Sequence, residues 1–118
     1  MNLPPVDFIR VREDRLLEFV TKCFRRSGLD TDHAALIARL LVNNDLRGVR
    51  SHGSLSANGY CNGFATGGFN PAPEITLLNE TQALVVLDGD GTLGYLPMVK
   101  ASEIAVDKAR AIGVGIAV

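Results

Sequence analysis

The 118-residue chain has no tryptophan, only 6% aromatic residues and only two cysteines, Cys23 and Cys61. Two cysteines are too few for a disulfide framework, and with no Cys-x-x-Cys they exclude the usual redox and zinc spacings. A reducing, cytoplasmic setting is the expectation. Net charge is nearly absent as well, at −1 from 12 basic and 13 acidic residues. That balance gives no electrostatic footprint for nucleic acid or an anionic membrane. Apolar runs such as Ala83 to Leu87 are short, far from the ~20 residues of a membrane span. The N-terminus carries no basic segment followed by an apolar one, so no signal peptide is expected. What is present is a globular composition, 47% hydrophobic and 21% charged.

Coarse organisation follows from periodicity. Pro4 and Pro5 disfavour helix, so residues 1–11 are expected to be extended. Leu16, Leu17, Phe19, Val20, Cys23 and Phe24 fall at helical spacing over 12–27, with Gly28 as terminator. Thr31 is the expected N-cap of a second helix that ends near Gly48. The two helices should form an αα-hairpin. A third, glycine-rich helix is expected from Ser51 to about Phe64, closed by Gly67-Gly68 and the rigid turn Asn70-Pro71-Ala72-Pro73. Residues 74–80 and 82–88 read as an antiparallel hairpin. A fourth helix over 95–111 would bury Met98, Ala101, Ile104, Ala105 and Ala109. Lys100, Glu103, Asp107 and Arg110 would form its solvated face. A last strand is expected over 113–118. A β-branched apolar run ending the chain without a turn suggests a fragment of a longer fold.

The block Asp45-Leu46-Arg47-Gly48-Val49-Arg50-Ser51-His52-Gly53 is the most informative stretch. If Ser51 caps the third helix, His52 occupies its first position, beside free N–H groups and the positive end of the dipole. Such a place favours a neutral imidazole and attracts a carboxylate. Acid/base chemistry beside an anion site suits interconversion of 2-oxo and 2-hydroxy acids. Outside this block a histidine at such a position is an ordinary polar residue. His33 is given no role. Cys23 and Cys61 read as packing residues, since no base accompanies them. Tyr60 reads as packing or as pocket lining.

Gly89-Asp90-Gly91-Thr92-Leu93-Gly94 matches G-x-G-x-x-G between a strand and a helix, a dinucleotide-binding pattern. The expected antiparallel hairpin argues against it, and a turn that needs positive φ is the plainer reading. A small Rossmann-type nucleotide binder would need a parallel strand pair flanking this loop, and an antiparallel hairpin there would sink it. Asp88 and Asp90 read as turn residues rather than metal ligands, and no metal site is expected.

These residues also carry a resemblance. The Asp45–Val49 segment, Ser51-His52-Gly53, Tyr60, Gly68, Asn70-Pro71, Asp88-Gly89-Asp90-Gly91, Leu93-Gly94 and Gly113-Val114-Gly115-Ile116 occur in the order found in one family. The chain resembles the N-terminal third of the malate/L-lactate dehydrogenases that are distinct from the Rossmann type. That family includes ureidoglycolate, sulfolactate and 2,3-diketogulonate oxidoreductases and some cyclic-imine reductases.

The resemblance implies an α/β fold. Residues 1–73 would be an N-terminal helical region carrying Ser-His-Gly. Residues 74–118 would begin a mixed-sheet α/β/α layer of non-Rossmann type, truncated here. It further implies NAD or NADP as cofactor, most of whose contacts come from sequence beyond residue 118, and a homodimer when full length. His52 becomes proton donor or acceptor to the substrate carbonyl. Ser51 caps and orients it, and Arg47 supports the loop or the substrate. A segment with a second functional histidine would follow Val118, so the 118 residues alone are expected to be inactive. The chain departs from the family at Ser56, where an arginine suited to the substrate carboxylate is usual. It departs also at Arg50, often acidic or neutral, and at Tyr95, often glutamine. The loss at Ser56 raises the alternative of a non-catalytic paralogue or interaction module that keeps the fold.

Overall fold

The computed structural model describes residues 6–118. Pro4 and Pro5, and the extended conformation expected of them, lie outside the described residues. The chain divides into two compact units with the boundary between Pro71 and Ala72.

The first unit is helical. Helix α1 (Glu13–Arg26) has Glu13 and Asp14 in its first turn and Arg25 and Arg26 in its last, both favourable to the dipole. Gly28 takes φ +108° just past its end, a left-handed position that suits glycine. Helix α2 (Thr31–Leu46) packs against α1. Its N-cap is Asp30, one residue before the expected Thr31. The Asp30 carboxylate accepts from the N–H groups of Asp32 and His33 at 2.8 and 2.9 Å. Carboxylate outranks threonine here because it takes two of the free helix-start donors at once.

The core joins Val20 and Phe24 of α1 to Ala34, Ile37, Ala38 and Leu41 of α2. Phe64 of helix α3 (Ala57–Ala65) closes it, edge-on to Phe24 at 6.4 Å between ring centres. Phe69 lies against Phe64 at 5.4 Å.

His33, expected to be merely solvated, is half-buried, with Nδ1 2.7 Å from Asp30 Oδ2. The Asp30 carboxyl is held below its ordinary 3.8, chiefly by the hydrogen bond from the His33 N–H. A depressed carboxyl contributes stability above its unfolded pKa and loses it as pH falls through the lowered value. Asp30→Ala should therefore cost about 1 kcal/mol near neutral pH, and the difference from wild type should shrink in acid to what a neutral cap supplies. Urea unfolding at pH 7 and below pH 3 reads both.

The second unit carries a three-stranded sheet in the order β1-β2-β3. Strands β1 (Thr76–Glu80) and β2 (Leu84–Asp88) form the expected antiparallel hairpin, with an irregularity between Leu77 and Asn79. Helix α4 (Tyr95–Ile112) packs on β2 and returns the chain to β3 (Ile116–Ala117). Strand β3 lies parallel to β2, so one strand has an antiparallel neighbour on one side and a parallel one on the other. Pro97 is tolerated because it stands in the first turn of α4, where the missing N–H would have no intrahelical partner.

Three details differ from expectation. Met98 is 58% exposed, and Leu96, not in the expected set, is buried with Ala101. The last strand begins at Ile116 rather than Gly113, because Gly113 ends α4 at φ +90°. Lys100 is more than part of a solvated row, since its Nζ donates to the Ile75 carbonyl at 2.7 Å. Lys108, absent from that row, donates to Glu80 Oε1 and the Thr81 carbonyl.

Candidate active site

The expected third helix does not begin at Ser51. Two short 3₁₀ turns, Arg50–His52 and Ser54–Ser56, precede α3, separated by Gly53 in an extended conformation. Ser51 caps nothing with its side chain, and His52 ends a 3₁₀ turn instead of starting a helix. His52 therefore has no helix N-terminus beside it and gains nothing from a helix dipole. The physical reason is Gly53, whose ψ of −162° cannot continue a helix.

Other contacts hold the loop. The Ser51 Oγ lies 2.9 Å from His52 Nδ1, and both side chains are exposed. The Asn44 amide donates to the His52 carbonyl at 3.0 Å. The Val49 N–H donates to the Asn44 carbonyl at 2.8 Å. The Asp45 carboxylate accepts from the Ser54 N–H at 2.9 Å. It also lies against the buried Gly53, where any side chain would overlap its oxygen. Two adjacent residues at the end of α2 thus grip both sides of the histidine turn.

Asp45 lies in the motif but carried no expected role, and nothing in the sequence pattern pointed to Asn44. A signal for Asp45 was present. An acid in the last turn of a helix opposes the dipole, so its presence in α2 asks for a partner elsewhere.

Arg47 is exposed at the C-cap of α2, just before Gly48 at φ +77°. Ser56 ends the second 3₁₀ turn with its hydroxyl 3.5 Å from the Ser51 carbonyl. Position 56 therefore borders the histidine turn. A cleft of about 670 Å³ opens beside this loop, lined by Asp45, Arg50, Ser54 and Leu55 with Ile9 and Val11 of the preceding segment. A smaller cavity of about 290 Å³ has Cys23 and Cys61 in its wall. Both are free thiols, and burial pushes the Cys61 thiol up, which makes it a poor nucleophile.

The glycine loop of the second unit serves the turn. Asp90 and Gly91 take φ +52° and +66°. The Asp88 carboxylate accepts from the Asp90 N–H at 2.9 Å, and the Asp90 carboxylate accepts from the Glu74 N–H at 3.0 Å. The Thr92 N–H donates to the Gly89 carbonyl. With these N–H groups committed and two carboxylates in place, the loop does not fit a pyrophosphate. The parallel β2–β3 pair does flank it, as a Rossmann-type binder would need, but β1 makes the antiparallel hairpin that weighs against one. Among the described residues no group of acidic, histidine or cysteine side chains could hold a metal ion. No helix there is long and apolar enough to cross a membrane.

Helices followed by a small mixed sheet make this an α/β protein, with a Ser-His pair on a turn clamped by a helix end. The chain belongs to the malate/L-lactate dehydrogenase family, whose model matches residues 11–118. It is 34% identical to a malate dehydrogenase of Pyrococcus abyssi over 110 residues, 93% of this chain and 30% of that protein. It is 36% identical to an L-sulfolactate dehydrogenase of Methanocaldococcus jannaschii over 104 residues, 88% of this chain and 29% of that protein. The structure of malate dehydrogenase from Pyrococcus horikoshii superposes with a TM-score of 0.90 at 34% identity, covering 98% of this chain and 34% of that one. The chain therefore spans about a third of the length of the relatives it matches, their N-terminal part.

Proposed function

We propose that the complete protein is an NAD(P)-dependent oxidoreductase that interconverts 2-oxo and 2-hydroxy acids, with His52 as the proton donor and acceptor. The observation that supports this most is the Ser51–His52 contact on an exposed turn, inside the motif most specific to the family. Oxidation of a secondary alcohol releases a hydride and a proton. A nicotinamide supplies the hydride acceptor, a role for which no protein side chain is suited. The loop at Gly89 to Gly94 is not its seat, and its contacts are assigned to sequence outside these residues.

The proton falls to His52. When Nδ1–H donates to the Ser51 hydroxyl, Nε2 is left to take the proton from the alcohol or return it to the carbonyl oxygen. Ser51 orients the ring, and Arg47 supports the turn. Malate and sulfolactate, named by the relatives, are both 2-hydroxy acids with a second anionic group. Arg50, on the wall of the cleft, is the cation we assign to the substrate in place of the arginine missing at position 56. The family reading also carries a homodimer and a cytoplasmic setting as proposals.

A second reading, a non-catalytic paralogue, rests on Ser56 alone. The two are separated by one assay. The protein expressed from its complete reading frame is mixed with NADH or NADPH and a panel of 2-oxo acids, and absorbance at the nicotinamide band is followed. Turnover with at least one acid is expected. A folded protein without turnover on any acid would favour the paralogue, and activity regained by Ser56→Arg would then show what was lost.

A further inference from the structure

The grip of α2 on the histidine turn has no explanation in helix stability. Asp45 stands in the last turn of α2, where a negative charge meets the negative end of the dipole. Its carboxylate instead satisfies the Ser54 N–H and packs on Gly53, the residue that follows His52. Gly53 is buried, and its φ of −93° is open to any residue. Space, not backbone conformation, is what reserves that position for glycine.

We propose that Asp45 is the positioning residue for His52, and that the Gly53–Asp45 contact sets where the imidazole stands. The inference rests on the proposed role of His52 for its catalytic consequence, and on geometry alone for the positioning. Asn44 assists by holding the His52 carbonyl, and Asp45 locks the other side of the turn. A turn with both faces fixed gives one ring position, and displacement of a reacting group by about 1 Å is enough to cost on the order of 10²-fold in rate.

The test uses the full-length protein and three variants, Asp45→Ala, Asp45→Asn and Gly53→Ala, with the double variant Gly53→Ala/Asp45→Ala. Amide exchange at Ser54 reads the turn directly. It should accelerate about 10-fold or more in Asp45→Ala, which removes a hydrogen bond to a charged acceptor. It should stay protected in Asp45→Asn, whose amide oxygen accepts the same bond.

Turnover should fall about 10- to 100-fold in Asp45→Ala, beyond any change in KM that follows from Asp45 lining the cleft beside Arg50, since ring placement acts on the chemical step. Asp45→Asn should recover most of that loss. Gly53→Ala should be costlier in the wild-type background than beside Asp45→Ala, where the overlap is relieved.

Unchanged exchange and unchanged kcat in Asp45→Ala would overturn the proposal. So would additive effects in the double variant, or a fall in kcat that Asp45→Asn does not recover. If Asp45→Ala does not fold, Gly53→Ala decides, because the proposal requires faster exchange at Ser54 with Asp45 intact. A wild-type protein without turnover would sink the oxidoreductase reading while the exchange data still decide the positioning.

Discussion

Replacing His52 by glutamine in the full-length protein is expected, on the role proposed for it, to lower turnover by about 10²- to 10⁴-fold, the usual contribution of a positioned general acid or base. Glutamine keeps a polar side chain of similar reach but cannot carry a proton between substrate and solvent. The fold should not notice. The His52 ring is exposed, it meets the neighbouring Ser51 hydroxyl, and the link to Asn44 uses the His52 carbonyl, which every residue has. Melting temperature and circular dichroism should therefore match wild type while kcat and kcat/KM fall together, as for an interaction made in the transition state. Glutamine at this position with near-normal turnover would remove His52 from the mechanism and leave the proton step to another residue.

The largest effect on the fold is expected at Gly115. A methyl group there would overlap the carbonyl oxygen of Ala105 in α4. Unlike a clash with a side-chain tip, this one meets helix backbone, which cannot turn aside. Gly115 is the residue that lets the chain leave α4 and lie down at once as β3. Gly115→Ala should force β3 away from β2, breaking the bonds from Ile116 N–H to the Ala83 carbonyl and from Val118 N–H to the Val85 carbonyl, 2.7 and 3.0 Å. Overpacking commonly costs about 1–3 kcal/mol, and a backbone obstacle places this substitution at or above the upper end. Amide exchange at Ile116 and Val118 should rise to the rate of unprotected positions, and the urea midpoint should fall. Val114→Ala, at a residue 49% exposed, should change neither. Retained protection in Gly115→Ala would show that α4 and β3 can separate without losing the sheet.

Much of the fold was legible because it is local. The helix pattern around Val20 and Phe24, the run from Ala34 to Leu41 and the strands on either side of Thr81 each express their period within a few residues. The glycines at 28 and 48 marked helix ends correctly, because a left-handed residue at C′ is a short-range requirement, whereas Gly113, expected to open the last strand, ends α4 instead. The third helix was misread because its start depends on distance. Ser51 has the chemistry of an N-cap, but Gly53 and the Asp45 carboxylate, eight residues apart in sequence, decide that the chain turns twice before α3 begins.

The residues that make up the Ser-His turn, their order along the chain and the serine at position 56 were determined by the sequence itself, since each is a matter of residue type and spacing. The grip of Asn44 and Asp45 on that turn was decided only by the tertiary structure, as was the parallel seat of β3 beside β2. Both need chain segments that periodicity treats as separate. A carboxylate that looks misplaced at the end of one helix becomes intelligible only when the glycine it packs against is brought to it.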